Sequence, residues 1–269
     1  MTTAIRLNAA RELQELREYL GPAYDHAKLQ GYKALVENEY RESGDEGTFY
    51  RTSEAYLYDL TAFAASGTKV PYLRMLVAQL PARARLLDYG CGIGSDGLLL
   101  LEAGYEVVFA DYDNPSTRYL RWRLERRGLD APIYDLDREE VPGGFDAAFA
   151  FDVIEHADDP FAFLTELESR GGIVAVNLLE QDPRDTSLHR ELPIQALLKH
   201  AVRCRLLRYA RLHQGRSHLV VYLPEPAKGW QQVRSRAVLW RVRLRRLAPK
   251  WLARAAGVSS GDRSALKGG

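Results

Sequence analysis

Leu86-Leu87-Asp88-Tyr89-Gly90-Cys91-Gly92-Ile93-Gly94 is the stretch whose reading decides the fold. A short apolar run ends in an acid, and three glycines at alternate positions lead into GLLLLEAG, a compact helix with a glycine stop. Glycine lets the backbone turn tightly and approach a ligand closely, and the helix start adds free N–H groups. Gly92, Gly94 and Gly97 also fit the GxGxxG dinucleotide pattern, with Asp111 at about the distance of a ribose-binding acid. Asp88 separates the two readings. Its carboxylate would repel a pyrophosphate at this turn and attract a ligand carrying an α-ammonium group.

Outward from the turn, apolar strands alternate with helices. YEVVFAD (105–111), PIYDL (132–136), FDAAFAFD (145–152) and GGIVAVNLL (171–179) read as strands. Asn114-Pro115 starts the helix TRYLRWRLERRG, with Asn as cap and Pro in the first turn. DPFAFLTELESR and PIQALLKHA (193–201) are further helices. This alternation implies right-handed crossovers and a mostly parallel sheet covered on both faces. RCRLLRYARL (203–212) and SHLVVYLP (217–224) are separated by four residues, which predicts an antiparallel hairpin. The first eighty residues read as helices: one over 6–20, one over about 24–40, a loop at 42–47, a helix from Ser53, and another over 69–80.

The 269 residues, 46% hydrophobic and 27% charged, can bury a sizeable core. No apolar run reaches the roughly 18 residues of a membrane-spanning helix, and the N-terminus has no secretory apolar block, so a cytoplasmic protein is expected. Cys91 and Cys204 form no CxxC, and the histidines form no HExxH, which argues against a disulfide scaffold and a metal site. The net charge of +1 hides an asymmetry: residues 226–269 hold 11 Lys/Arg against one acid, Asp262, leaving 26 basic and 35 acidic residues elsewhere.

S-adenosylmethionine carries an α-ammonium group and no phosphate, and the chain resembles the Rossmann-like (class I) S-adenosylmethionine-dependent methyltransferases. LLDYGCGIG matches their first motif, acid-x-Gly-x-Gly-x-Gly. The resemblance implies that Gly90, Cys91, Gly92 and Gly94 wrap the methionine part, with Asp88 in its hydrogen-bond network. VVFADYD matches the end of their second strand, which implies that Asp111 holds the ribose hydroxyls, with Tyr112 beside it. DREEVP implies Asp137 as partner of the adenine amine, with Asp135 as competitor. FDVIEHADDP implies that Asp152 lies at the methionine end. The likeness covers about residues 83–224 and implies a seven-stranded, mostly parallel sheet with a C-terminal antiparallel hairpin. The expected units are a helical N-terminal lid (1–82), the cofactor-binding domain (83–225), a basic amphipathic helix (226–256) and a disordered tail (257–269).

Methyl transfer from a sulfonium needs a positioned nucleophile, exclusion of water and, where required, a proton acceptor. Glu155 and His156 follow the fourth strand at the ligand-binding edge of the sheet. His156 is a candidate base, with a structural role as the competing reading. Phe49, Tyr50, Tyr56, Tyr58 and Tyr72 offer aromatic walls for the lid, and Tyr50 is a further catalytic candidate; core packing is the alternative. The loop 177–190 can supply Asn177 and His189, and Cys91 reads as a packing residue.

In the basic tail, which Trp230 opens, Val233, Ala237, Trp240, Leu244, Leu247 and Trp251 form one apolar helical stripe among arginines, with Pro249 expected to kink or end the helix. Such a helix suits an anionic membrane surface, and docking on the acidic body is the alternative. The function expected is methyl transfer to oxygen or nitrogen of a small-molecule or lipid-linked acceptor. Rivals are transfer or cyclisation of the aminocarboxypropyl arm, a nucleic-acid methyltransferase and a non-catalytic binding module. The Asn/Asp-Pro-Pro-aromatic motif for exocyclic amines is absent, since the fourth strand ends Phe151-Asp152-Val153-Ile154.

Overall fold

A computed structural model describes residues 4–181 and 188–247, with side chains described as far as residue 240. Seven strands form one sheet in the order β3-β2-β1-β4-β5-β7-β6. They are β1 (Arg85–Tyr89), β2 (Glu106–Asp111), β3 (Ile133–Asp135), β4 (Phe145–Ala150), β5 (Gly171–Leu179), β6 (Cys204–Leu212) and β7 (Ser217–Pro226). The first five run parallel, and β7 is antiparallel to both β5 and β6. The short 213–216 connection therefore makes the expected hairpin, and β7 inserts between β5 and β6. Strand alternation puts Leu86, Phe109 and Phe149 in one core and Leu87, Val108 and Ala148 in the other.

The first core is covered by α6 (Val70–Val77), α7 (Ser95–Glu102) and α8 (Pro115–Arg127), and the second by α9 (Pro160–Arg170) and α10 (Ile194–Arg203). Asn114 caps α8 through a reciprocal box with Thr117, and Gly128 ends it in a left-handed conformation. No helix joins β3 to β4, so the alternation of strands and helices lapses at residues 136–144.

The N-terminal helices are α1 (Ala9–Leu20), α2 (His26–Gln30), α3 (Tyr32–Ser43), α4 (Glu46–Thr52) and α5 (Ala55–Ala65). Two expectations need correction. The helix expected over 24–40 breaks at Gly31, because Asp25 caps a short first piece that Gly31 ends. The loop expected at 42–47 shrinks to a turn at Gly44, since Asp45 caps α4 through the Thr48 N–H. Leu16, Leu57, Tyr58 and Tyr119 pack this layer against α8 and Ile93 of the glycine turn.

The contact between α1 and the sheet domain is ionic and buried. The fully buried Arg123 of α8 donates to Glu12 Oε2 at 2.6 Å and Glu15 Oε2 at 2.9 Å on α1. It also donates to the Ile93 carbonyl and the Ser95 hydroxyl, both at 2.8 Å, at the start of α7. Arg127 completes the network by donating to Glu12, Glu15 and Glu102.

The last helix, α11 (Trp230–Leu247), packs on α10 and β6. It docks through Ser235, Val238 and Leu239, a different face from the stripe read in the sequence. The side chains described on that stripe face solvent: Trp240 is 61% exposed, Val233 and Ala237 are exposed as well, and Trp230 at the start of the helix is 74% exposed. Pro249, Trp251 and the tail 257–269 lie outside the described residues. Among the described residues no helix is long and apolar enough to cross a membrane.

Removing one partner of a buried ion pair costs about 3–5 kcal/mol. Arg123→Met should therefore lower the unfolding free energy by about that much in urea denaturation, and a loss below about 1 kcal/mol would show that α1 is held by other contacts.

Candidate functional site

The turn from β1 to α7 has Gly90, Gly92 and Gly94 at φ of 72°, 54° and 70°. These left-handed values suit glycine and strain other residues. At Gly94 the requirement is also steric, since a Cβ would lie 2.3 Å from Leu120 Cδ1. At Gly97 it would lie 2.2 Å from Phe109 Cε1 and 2.8 Å from Asp88 Oδ2. The Gly90 N–H donates to the Ala110 carbonyl and the Gly92 N–H to Asp111 Oδ2, so the turn is tied to the end of β2.

Asp111 accepts from the Gly92 N–H and the Tyr112 N–H, both at 2.7 Å, one on each oxygen. Each oxygen keeps a lone pair for a hydroxyl donor. Burial lifts its carboxyl to about 6 against the pull of those two amides. Asp88 is buried and accepts the Gly97 N–H; burial and the neighbouring Asp96 push its carboxyl upward. Burial pushes the Cys91 thiol well up too, which keeps it protonated and fits a packing role.

Lys69, which the sequence offered only as a helix start, lies at the centre of this charge arrangement. Its ammonium donates to the Phe151 carbonyl at 3.0 Å and lies 3.4 Å from Asp96 Oδ2 and 3.6 Å from Asp152 Oδ2. Burial would lower its pKa, but Asp96, Asp152 and Asp88 outweigh that and hold it charged. Asp152 has a left-handed backbone at φ 57°, which Asn177 secures by accepting from its N–H and donating to its Oδ1. Among the described residues, no hydrogen bond reaches the buried Asp152 Oδ2, whose ion-pair partner is Lys69.

A cavity of about 610 Å³ opens beside Asp152, Glu155 and His156, walled by Tyr56, Leu60 and Phe63. His156 Nδ1 lies 2.7 Å from the Tyr50 hydroxyl and 3.2 Å from the Leu188 carbonyl. With the proton on Nδ1, the ring donates to that carbonyl, which can only accept, and Nε2 keeps its lone pair. Burial, then the neighbouring His189, lower the ring to about 3, so it is neutral near pH 7. Asp59 lines the same cavity, and burial raises it to about 6 despite Lys33 and Lys69. Glu155, His156 and His189 bring three donor atoms within 4.8 Å of one another, a metal-capable cluster although no contiguous metal motif is present.

The structure thus brings Asp88, Gly90, Cys91, Gly92, Gly94, Asp111 and Tyr112 to one turn, and Tyr50, Asp152, Glu155 and His156 to the adjoining cavity edge. Asp137, expected at the adenine amine, is held in an ion pair on the surface of this site. Both of its oxygens accept from Arg51, whose guanidinium stacks 4.2 Å from the centre of the Tyr112 ring. Asp135 accepts the Asp137 N–H and pairs with Arg138. Three lid aromatics also need correction. Tyr72 is fully buried and donates to Ser217, Phe49 packs with Val36 and Leu188, and the Tyr58 hydroxyl accepts the Asp25 N–H, so all three are core. Arg51, Asp59 and Lys69 went unread because single charged residues on helices carry no pattern; only the fold brings them to the site.

A methyltransferase domain model matches residues 87–170. A ubiquinone biosynthesis O-methyltransferase of Cereibacter sphaeroides is 32% identical over 171 residues, 61% of this chain and 68% of that protein. One from Dinoroseobacter shibae is 30% identical over 110 residues, 39% of this chain and 44% of that protein. Among solved structures, magnesium protoporphyrin IX methyltransferase from Synechocystis PCC 6803, with bound S-adenosylhomocysteine, has the same fold. Its TM-score is 0.50 at 16% identity, covering 80% of this chain and 100% of that one.

Unfolding lets His156 take up a proton near its ordinary pKa of about 6.5, which the folded ring refuses until about 3. Its contribution to stability is therefore lost as pH falls below about 6.5. Between about pH 7 and 5.5 the protein should lose about 1 kcal/mol more in urea unfolding than His156→Gln does. Equal losses would mean that the ring protonates in place.

Proposed function

Since this chain belongs to the class I S-adenosylmethionine-dependent methyltransferases, we propose that it methylates a hydroxyl oxygen on a lipid-linked aromatic acceptor held in the cavity beside His156. The observation that carries this reading is the neutral His156, beside Asp152 and Glu155 at the wall of a half-enclosed cavity whose Leu60 also meets Gly92 of the glycine turn. The relatives named for ubiquinone biosynthesis support oxygen as the methylated atom and a lipid quinone precursor as the acceptor class.

The residues suit the cofactor. Asp111 has lone pairs for two ribose hydroxyls. Lys69 offers the methionine carboxylate a cation, and the Phe151 carbonyl it now holds can accept from the ammonium. Asp152 Oδ2, a buried acceptor that receives no hydrogen bond among the described residues, lies at the same end. The glycine turn leaves a floor against Leu60, where a Cβ on Gly92 would lie 2.9 Å from Leu60 Cδ1. Arg51 and Asp137 form a clasp beside Tyr112, and adenine binding would require that pair to share or open. Bound S-adenosylmethionine supplies an electrophilic methyl on a cationic sulfur.

The protein's part is positioning and proton handling. A protonated imidazole would repel the sulfonium; burial keeps His156 neutral and removes that repulsion. Nε2 takes the acceptor's hydroxyl proton. A base of low pKa is sufficient, because the oxygen becomes cationic and its proton strongly acidic as the O–C bond forms. Tyr50, pushed far up by burial, remains a phenol and fixes the ring rather than acting as a base. Glu155 and Asp152 supply negative charge to stabilise the imidazolium that results. Tyr56, Leu60 and Phe63 wall the site against water.

The exposed face of α11 supports a peripheral membrane contact from the cytoplasmic side. Trp230, Val233 and Trp240 stand out from the body, with Arg234 and Arg236 exposed beside them. That combination suits the headgroup boundary of an anionic bilayer. The Trp230→Ala/Trp240→Ala variant should lose sedimentation with anionic liposomes and keep cofactor binding. Sedimentation equal to that of the unaltered protein would remove α11 from any membrane role.

Methyl-labelled S-adenosylmethionine with a catechol-type acceptor tests the chemistry. The products expected are S-adenosylhomocysteine and a labelled methyl ether; methylthioadenosine would establish transfer of the aminocarboxypropyl arm instead. Hydrogen bonds to a charged group are worth roughly 1.5–3 kcal/mol each, so Asp111→Ala should weaken S-adenosylhomocysteine binding by at least one such increment. Unchanged affinity in calorimetry would refute the ribose role.

A further inference from the structure

A second cluster of metal-type donors lies outside the cofactor site. His200 and Cys204 are four residues apart at the C-terminal end of α10, so both project from one side of that turn. Glu168 reaches them from α9: its Oε1 lies 2.6 Å from His200 Nε2, and Cys204 Sγ lies 4.0 Å from the same nitrogen. All three donor atoms lie within 4.8 Å of one another. Tyr222 of β7 donates to Glu168 Oε1 at 2.7 Å and orients the carboxylate from behind. No sequence motif announces this group, because Glu168 and His200 belong to different helices.

We propose that Glu168, His200 and Cys204 bind a zinc-type divalent cation, with water as fourth ligand. Zinc bonds of roughly 2.0–2.3 Å place tetrahedral ligand atoms about 3.3–3.7 Å apart. The sulfur–nitrogen separation is close to that already, and the His200–Glu168 pair must open by less than about 1 Å. The charges balance: a thiolate, a carboxylate and a neutral imidazole neutralise a dication. The mixed sulfur, nitrogen and oxygen set favours zinc over magnesium or calcium, which take oxygen ligands. On binding, the Cys204 thiol proton and the proton shared between His200 and Glu168 pass to solvent, and three metal–ligand bonds replace that hydrogen bond. The ion joins α9, α10 and β6, the last two being the elements on which α11 packs. Its role is to brace that face, apart from the methyl-transfer cavity.

Cobalt(II) is the probe, since it takes zinc's geometry and reports thiolate ligation by a charge-transfer band. Chelator-treated, reduced full-length protein should bind one equivalent with that band and the visible bands of a tetrahedral site, and zinc should displace it. Cys204→Ser should abolish the charge-transfer band, and His200→Gln should weaken cobalt binding at least tenfold. The other three-donor cluster, Glu155, His156 and His189, has no sulfur and cannot produce the band. In the unaltered protein, one equivalent of zinc should slow alkylation of Cys204 at least tenfold, read by peptide mass spectrometry. Absence of a charge-transfer band, its persistence in Cys204→Ser, or alkylation unaffected by zinc would overturn the proposal.

Discussion

Arg123 joins two parts of the molecule that the sequence presents as separate. Its buried guanidinium reaches the Ile93 carbonyl and Ser95 hydroxyl, where the glycine turn becomes α7, and the Glu12 and Glu15 carboxylates of α1. Burying such charges costs several kcal/mol per ion before their attraction is counted, so an apolar contact would hold α1 at least as firmly. What the ionic contact adds is position: a planar fork meets its acceptors in few orientations. The N-terminal helices are thereby set against the glycine turn, and Leu60 and Tyr56 of α5 reach the cavity wall. The site is thus built jointly by the N-terminal helices and the sheet.

A second constraint is charge balance at a site proposed to receive a cation. Asp88, Asp96 and Asp152 gather at the strand ends around one buried ammonium, that of Lys69. A sulfonium with its own ammonium and carboxylate can enter such a cluster by exchanging partners, with little new unpaired charge. His156 fits the same logic, because as a neutral ring it adds no positive charge at the cavity edge. The lone pair of its Nε2 is the one proposed to take the acceptor's proton.

Legibility in the sequence followed the physical origin of each feature. The strands of the sheet were readable because doubly covered parallel strands are continuous apolar runs, and the glycine turn because positive φ and close approach leave little choice but glycine. The C-terminal hairpin followed from a connection too short for a crossover. Asp111, Asp152 and His156 were picked out by their places at strand ends and by the family resemblance, but their contacts with Gly92, Asn177 and Tyr50 come only from the fold. Lys69, Arg51, Asp59 and Arg123 were missed because a lone charge on a helix carries no period. Tyr72 and Tyr58 were read as lid walls because composition cannot separate a buried phenol with a partner from an exposed one. On α11 the described part of the apolar stripe, Val233, Ala237 and Trp240, is exposed, and the body took the neighbouring face, Ser235, Val238 and Leu239. Pattern alone does not say which of two adequate faces is buried.

A structure of the protein with S-adenosylhomocysteine bound tests the central claim most directly. The account predicts both ribose hydroxyls on Asp111, the methionine carboxylate at Lys69, and the sulfur facing the cavity edge at His156. A ligand whose ribose lies away from Asp111, or whose sulfur faces away from that cavity, would contradict it.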